Sequence, residues 1–288
     1  MESTTFRYLQ WNDRFLSENP YQILIDLPEE SEDQKNSNVT FENGRTENVA
    51  NARPDMGSFK LDTHGFCFSQ IASKLHYDDF FDKKKVDEVY LPECADLIRS
   101  VLDSVDKIHF YNWLVRDSNS GPREGKVLDL NDSLALLGPA RVVHVDQTPE
   151  SAIERVFLEL PSTASDLLKG RLRLVNIWRP IRGPVEMWPL ALCDGRTVSP
   201  SSLVSSDRVR RNYTGGTTFV LEDSKHKWFY LDKQQVDEVA VFKNFDSDPE
   251  VTKCAPHTSF PSSGATEGLQ SRQSIEVRAM VFSFPTKG

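Results

Sequence analysis

No stretch of the chain approaches the ~18 uninterrupted apolar residues that a membrane-spanning helix requires, so none is expected. A basic cluster is missing as well: 34 Lys and Arg stand against 43 Asp and Glu, a formal charge of −9. Phosphate backbones and anionic lipid surfaces select Lys/Arg-rich faces, so neither nucleic acid nor a membrane is expected as a partner. Cysteine is scarce. Cys67, Cys94, Cys193 and Cys254 lie far apart without a C-x-x-C pair, which argues against a disulfide framework and a structural zinc site. Met1 to Phe15 has no apolar stretch of signal-peptide length, and with free thiols this points to a cytoplasmic protein. The sequons at Asn38, Asn131 and Asn212 are then chance. No G-x-S-x-G elbow, G-x-G-x-x-G fingerprint or internal repeat occurs, which excludes the commonest hydrolase, dinucleotide-binding and solenoid designs. Gly121-Pro-Arg-Glu-Gly-Lys126 imitates a phosphate loop but is one residue short, with Val127 where Ser or Thr should follow.

What is present is an ordinary globular composition, 38% apolar and 27% charged, in 288 residues. Tyr21–Leu27 reads as a strand, and Pro28–Asp55, with seven acids against three bases, as a long mobile loop. Helical spacing covers Ala95–Val105 and strand composition covers Lys107–Val115, followed by a loop over Ser118–Gly125. From Ala140 a β-rich series begins, with strands expected at Ala140–Val145, Leu172–Trp178, Thr217–Leu221, Trp228–Leu231, Glu238–Phe245 and Ser274–Phe282. Between the first two, Thr148 caps a helix through Leu158, and Ser162–Leu168 is a second short one. Many short strands with turns between them predict an antiparallel sandwich or barrel, mainly β with flanking helices. We expect a single domain, 1–288: an N-terminal extension with flanking elements over 1–139, and a core over 140–288.

Two of the six histidines open an H-x-D triplet. His76-Tyr-Asp78 runs through acidic residues into Lys83-Lys-Lys85 and reads as a solvated connection. His144-Val-Asp146 instead closes an apolar strand, where residues i and i+2 project to one face and can converge on one ion. A two-His-one-carboxylate site needs a distant second histidine, and His257 in Ala255-Pro-His-Thr258 is the candidate, with a satisfied loop histidine as the alternative. The last strand alternates cleanly. Ile275, Val277, Ala279 and Val281 share one parity; Arg272, Ser274, Glu276 and Arg278 share the other. Such a polar row is either a charged edge strand or the wall of a site for a dicarboxylate, which Arg-x-Ser would hold by charge-assisted hydrogen bonds.

The ordered motifs resemble a known family. His144-Val-Asp-Gln-Thr-Pro149, Asn176-Ile-Trp-Arg-Pro180, Gly183–Asp194, Asp237–Ser247, Ala255-Pro-His-Thr258 and Arg272-x-Ser-Ile-Glu-Val-Arg278 look like the iron(II)/2-oxoglutarate-dependent oxygenases related to gibberellin desaturase and a cephamycin methoxylase component. A weaker match lies at Phe59–Phe66, and Met187 departs from the pattern, standing where many relatives carry a polar residue. The resemblance implies a double-stranded β-helix (jelly-roll, cupin-like) core, Fe(II) on His144, Asp146 and His257, and 2-oxoglutarate on Arg272 and Ser274. Arg278, of the same parity, is the other candidate for the cosubstrate carboxylate. It further implies use of O2, release of succinate and CO2, and hydroxylation, desaturation or heteroatom ring closure on a small-molecule substrate. For substrate contacts the candidates are Arg179, Arg182, Trp178 and Tyr213, the last beside Gly215-Gly216. Arg208-Val-Arg-Arg211 reads as a solvated basic loop. The competing class is a catalytically silent metal- or ligand-binding jelly roll, and the sequence sets no oligomeric state.

Overall fold

The computed structural model describes residues 1–24, 36–120, 134, 136–210, 213–264 and 268–284. Fourteen strands run through them: β1 (Glu2–Leu9), β2 (Tyr21–Ile23), β3 (Phe41–Asn51), β4 (Phe66–Gln70), β5 (Lys107–Asp117), β6 (His144–Val145), β7 (Arg171–Arg182), β8 (Leu190–Cys193), β9 (Leu203–Val209), β10 (Thr214–Val220), β11 (Trp228–Tyr230), β12 (Glu238–Asp246), β13 (His257–Ser259) and β14 (Gln273–Ser283). They form a nine-stranded sheet, ordered β1-β3-β11-β8-β13-β6-β10-β9-β2, and a five-stranded sheet, β4-β12-β7-β14-β5. Inner-face residues of both sheets line one cavity, as a double-stranded β-helix requires.

Alternation on β14 builds the five-stranded sheet's two faces. Ile275, Val277, Ala279 and Val281 are fully buried in a cluster with Cys94, Leu97 and Ile98 of the helix Leu91–Val101. Each large aliphatic side chain buried there contributes roughly 1.5–3 kcal/mol. The opposite parity of β14 faces inward and carries the polar row. β7, hydrogen-bonded on one side to β14 and on the other to β12, is buried on both faces and so shows no alternation.

The helix Pro149–Glu159 starts where expected: the Thr148 hydroxyl accepts the Ser151 N–H at 3.1 Å. Its cap packs on Gly216 of β10, where a Cβ would stand 2.6 Å from Thr148 Oγ1. The four-residue helix Ala164–Leu167 lies within the second predicted helix, and the predicted Ala95–Val105 helix is displaced to Leu91–Val101.

The N-terminal third differs from expectation. Phe41–Asn51, expected within a mobile loop, is an eleven-residue strand, antiparallel to β1 and parallel to β11. Its polar sequence hides the strand because five of its side chains are exposed and its ladder is made with distant segments. β4 and β5, both before residue 140, complete the five-stranded sheet. Ile25–Leu27, residues 28–35 of the expected loop, Gly121–Lys126 and the sequons at Asn131 and Asn212 lie outside the described residues. Among the described residues no helix is long and apolar enough to cross a membrane.

Candidate metal centre and active site

β6 is only two residues long, yet its place beside β13 sets the site: His144 pairs directly with His257. Cross-strand neighbours share a face, and Asp146, two residues beyond His144, shares it too. The ligand atoms of His144, Asp146 and His257 all lie within 4.8 Å of one another, and all three residues are buried. His144 Nε2 is 3.4 Å and His257 Nε2 4.0 Å from Asp146 Oδ1. Each Nδ1 faces a carbonyl, Val142 O at 2.8 Å and Ala255 O at 3.2 Å. A carbonyl only accepts, so both rings donate from Nδ1 and turn the Nε2 lone pair toward the site. Burial and the neighbouring His144 push the His257 imidazole down to about 4, which keeps it a neutral donor at ordinary pH.

Asp146 is held on its other oxygen. Asn176 Nδ2 donates to Oδ2 at 2.6 Å, Arg278 Nη2 stands 3.1 Å from the same atom, and the Asp146 N–H donates to Asn244 Oδ1 at 3.0 Å. Burial opposes ionisation, but Arg278 and the two histidines outweigh it and hold this carboxyl well below the usual carboxylate range. Two imidazoles and one carboxylate on one face are the donor set of non-haem iron(II) sites.

Arg278 is thereby occupied, since Glu276 also meets it at 2.7 Å. Arg272 is not. Its Nη1 donates to Ser274 Oγ at 3.2 Å, while the buried Nε and Nη2 have no acceptor among the described residues. Its guanidinium stands 5.6 Å from the Trp178 ring centroid, in a narrow recess bordered by both histidines, Thr258 and Glu276. Burial and the like charge of Arg116 pull it down to about 9. A buried cation with two orphaned donors fits an incoming carboxylate.

A larger cavity of about 670 Å³ opens on the other side of His144 and is lined by Asp146, Tyr111, Asn112, Arg155, Arg208 and Tyr213, among others. Of the four residues expected to touch substrate, Tyr213 alone reaches it. Trp178 faces the Arg272 recess instead. Arg179 has the opposite parity to Trp178 and points away from the cavity, donating to Tyr90 Oη at 3.1 Å and Val236 O at 2.8 Å. Arg182 is exposed at the end of β7, 5.8 Å from the Tyr77 ring. Alternation is the physical reason: adjacent residues of one strand cannot both face the site. Arg208, read as part of a solvated loop, lies on β9 and faces the cavity. Arg155 and Tyr111 also escaped the sequence reading, which offered no motif for them.

Comparison with known proteins places this geometry. A protein-family model described as "Oxidoreductase/YMDC permease-like domain" matches residues 6–282. The Fe(II)/2-oxoglutarate-dependent dioxygenase nvfI of Aspergillus novofumigatus is 33% identical over 240 residues, spanning 80% of this chain and 81% of that protein. The hydroxylase/desaturase CTB9 of Cercospora beticola is 31% identical, over 83% of this chain and 76% of that one. The solved structure of the iron and alpha-ketoglutarate-dependent endoperoxidase NvfI superposes with a TM-score of 0.83 at 28% identity, covering 98% of each chain. The chain therefore belongs to the Fe(II)/2-oxoglutarate-dependent dioxygenases and hydroxylase/desaturases of fungal secondary metabolism, oxidoreductases that use Fe(II), 2-oxoglutarate and O2.

Proposed function

We propose that the protein activates a C–H bond of a small, carboxylate-bearing metabolite, an amino acid or a natural-product intermediate, in the cytoplasm. The product is an alcohol, an alkene or a heteroatom ring such as an aziridine. His144, Asp146 and His257 hold Fe(II), and Arg272 with Ser274 holds the far carboxylate of 2-oxoglutarate. The observation that carries this reading is the pairing of the His-Asp-His cluster with an orphaned, buried guanidinium in the adjoining recess.

When bound, Fe(II) with 2-oxoglutarate and O2 supplies an oxidant able to remove hydrogen from an unactivated carbon, leaving succinate and CO2. The chain's own groups do the rest. The Val142 and Ala255 carbonyls fix the imidazole tautomers. Asn176 and Arg278 hold the outer oxygen of Asp146, leaving Oδ1 turned to the histidines. Arg272 neutralises the cosubstrate, with Trp178 walling its recess against water. His144 borders both recess and cavity, so a substrate in the cavity meets the same face. Names among the relatives span dioxygenase, hydroxylase/desaturase and endoperoxidase, and the outcome here rests on how the substrate sits in the cavity.

Anaerobic addition of Fe(II) and 2-oxoglutarate should give a weak visible absorption band that His144→Ala abolishes. Under oxygen with a metabolite extract, a product heavier by one oxygen marks hydroxylation, and one lighter by two hydrogens marks desaturation or ring closure. No band together with no succinate release would overturn the reading.

A further inference from the structure

The large cavity contains a second set of donors that the metal and the cosubstrate do not use. Among the described residues, Arg208 Nε, Arg155 Nε, Tyr213 Oη and Tyr111 Oη are buried without an acceptor, and all four residues line the cavity. Strand register brings three of them together. Arg208 of β9 pairs with Gly215 of β10, and the Tyr213 ring packs on that glycine, where a Cβ would lie 2.6 Å from the ring edge. Arg155, projecting from the helix Pro149–Glu159, stands 4.6 Å from the centroid of Tyr213 and 5.5 Å from that of Tyr111. Of the acids lining the cavity, Glu159 is already engaged by Arg155 Nη1 at 3.3 Å and Asp146 by Arg278 and Asn176. Orphaned donors cost free energy wherever they are buried, and every one of these four lacks the same thing, an acceptor.

The register also orients this group toward the metal. Ser206 pairs with Thr217, whose hydroxyl donates to Asp146 O at 3.4 Å, so Ser206, Thr217 and Asp146 form one cross-strand row. Arg208 lies two residues beyond Ser206 on the same face, hence two strands (~9.6 Å) across and two residues (~6.8 Å) along from Asp146. A guanidinium reaching inward from there leaves a short span before the metal face. Burial and the surrounding Arg210, Arg278 and Arg116 pull the Arg208 guanidinium down to about 10, even though Asp146 favours its charge, so a further anion here relieves an excess of positive charge.

We propose that Arg208, Tyr213 and Arg155 form a clamp for an acid group of the substrate, which makes the substrate a small organic acid whose oxidised carbon stands a few bonds from the clamped carboxylate. This rests on the oxygenase reading and assigns its specificity to β9. Tyr213 supplies a neutral donor and Arg208 the charge. Arg155 closes the clamp from the helix.

The test uses the Fe(II)-loaded protein saturated with 2-oxoglutarate under nitrogen, so that the Arg272 recess is filled, and malonate as the probe, with malonamide and matched sodium chloride as controls. Malonate should raise the melting temperature in a saturable way; malonamide should not. Arg208→Met should weaken malonate binding about tenfold or more, Tyr213→Phe by a smaller factor, and Arg208→Lys should recover part of the loss. Equal shifts from malonate and malonamide, no shift from either, or an undiminished malonate response in Arg208→Met would overturn the clamp. The absorption band of iron with 2-oxoglutarate is read in the same samples. A band retained in Arg208→Met shows that fold and metal site survive, whereas a band missing from the wild type counts against the oxygenase reading itself.

Discussion

Arg272 and Arg278 stand six residues apart and at one parity, Arg272 buried just before β14 and Arg278 half-buried within it, and their surroundings are opposite. Arg278 lies between two carboxylates, Asp146 at 3.1 Å and Glu276 at 2.7 Å, so its charge is balanced within the protein. Arg272 finds a single hydroxyl at 3.2 Å and leaves two donors without acceptors. Burial disfavours both cations; the partners decide the outcome. In the proposed function, the guanidinium placed between carboxylates is a strut for a metal ligand, and the one that faces a recess with donors to spare is a receptor for an acid that arrives from outside.

Substitution separates the two roles. Arg278→Met should cost the metal-free protein about 3–5 kcal/mol, because Asp146 is left buried without its cation and Glu276 keeps only Arg116, at 4.0 Å. Urea unfolding measures this, and a loss of under about 1 kcal/mol would reduce the pair to the standing of a surface ion pair. Arg272→Met should leave stability unchanged or slightly higher, since it removes a cation with no charged partner. It should raise the dissociation constant for 2-oxoglutarate about 10- to 100-fold, read from titration of the absorption band. If both variants lost stability alike and kept 2-oxoglutarate affinity, the contrast between them would be gone. Asn176→Ala tests the strut from its other side: it deletes the 2.6 Å bond to Asp146 Oδ2 and should weaken iron binding about tenfold with little change in 2-oxoglutarate affinity at saturating iron.

The same contrast shows what the sequence could reveal. Parity placed Arg272, Ser274 and Arg278 on one face because β14 has one apolar face and one polar face. His144 and Asp146 were legible for a related reason, a period-two pair at the end of an apolar strand. What parity could not do was choose between the two arginines, since the choice depends on Asp146 and Glu276 lying across the site. It also failed on β7, where Leu172–Ile181 is buried on both faces and carries no alternation to show that Trp178 points inward and Arg179 outward. Arg208 was hidden by the reverse situation. The inner face of β9 lines a cavity at Arg208, so this residue, followed by Arg210 and Arg211 in the sequence, resembles part of a solvated loop. Phe41–Asn51 was hidden because its pairing partners are distant in sequence and half of its side chains are wet. In each case the missing information was non-local: which segment packs against the strand, and whether the polar face meets bulk water or an enclosed cavity.

His226 gives the comparison a control. Like Arg272 it is buried with orphaned polar atoms, both ring nitrogens lacking a partner among the described residues. Unlike Arg272 it borders neither the recess nor the cavity; its ring stacks at 6.3 Å on Tyr8 and lies edge-on to Trp228. An orphan without a recess is a cost and nothing else, so His226→Phe should not weaken the protein at neutral pH. Burial lowers this imidazole below its ordinary 6.5. As pH falls through 6.5 the unfolded chain therefore takes up a proton that the folded chain refuses, and stability is lost toward acid by at most about 1.4 kcal/mol per pH unit. Above 6.5 both states are neutral and the residue contributes no slope. Urea midpoints across this range should accordingly fall less steeply for His226→Phe than for the wild type, with the two curves converging as pH rises. Parallel curves would mean that the ring is protonated or partnered in the folded state, and an orphaned donor could then no longer be taken, here or at Arg272, as the mark of a group awaiting a partner.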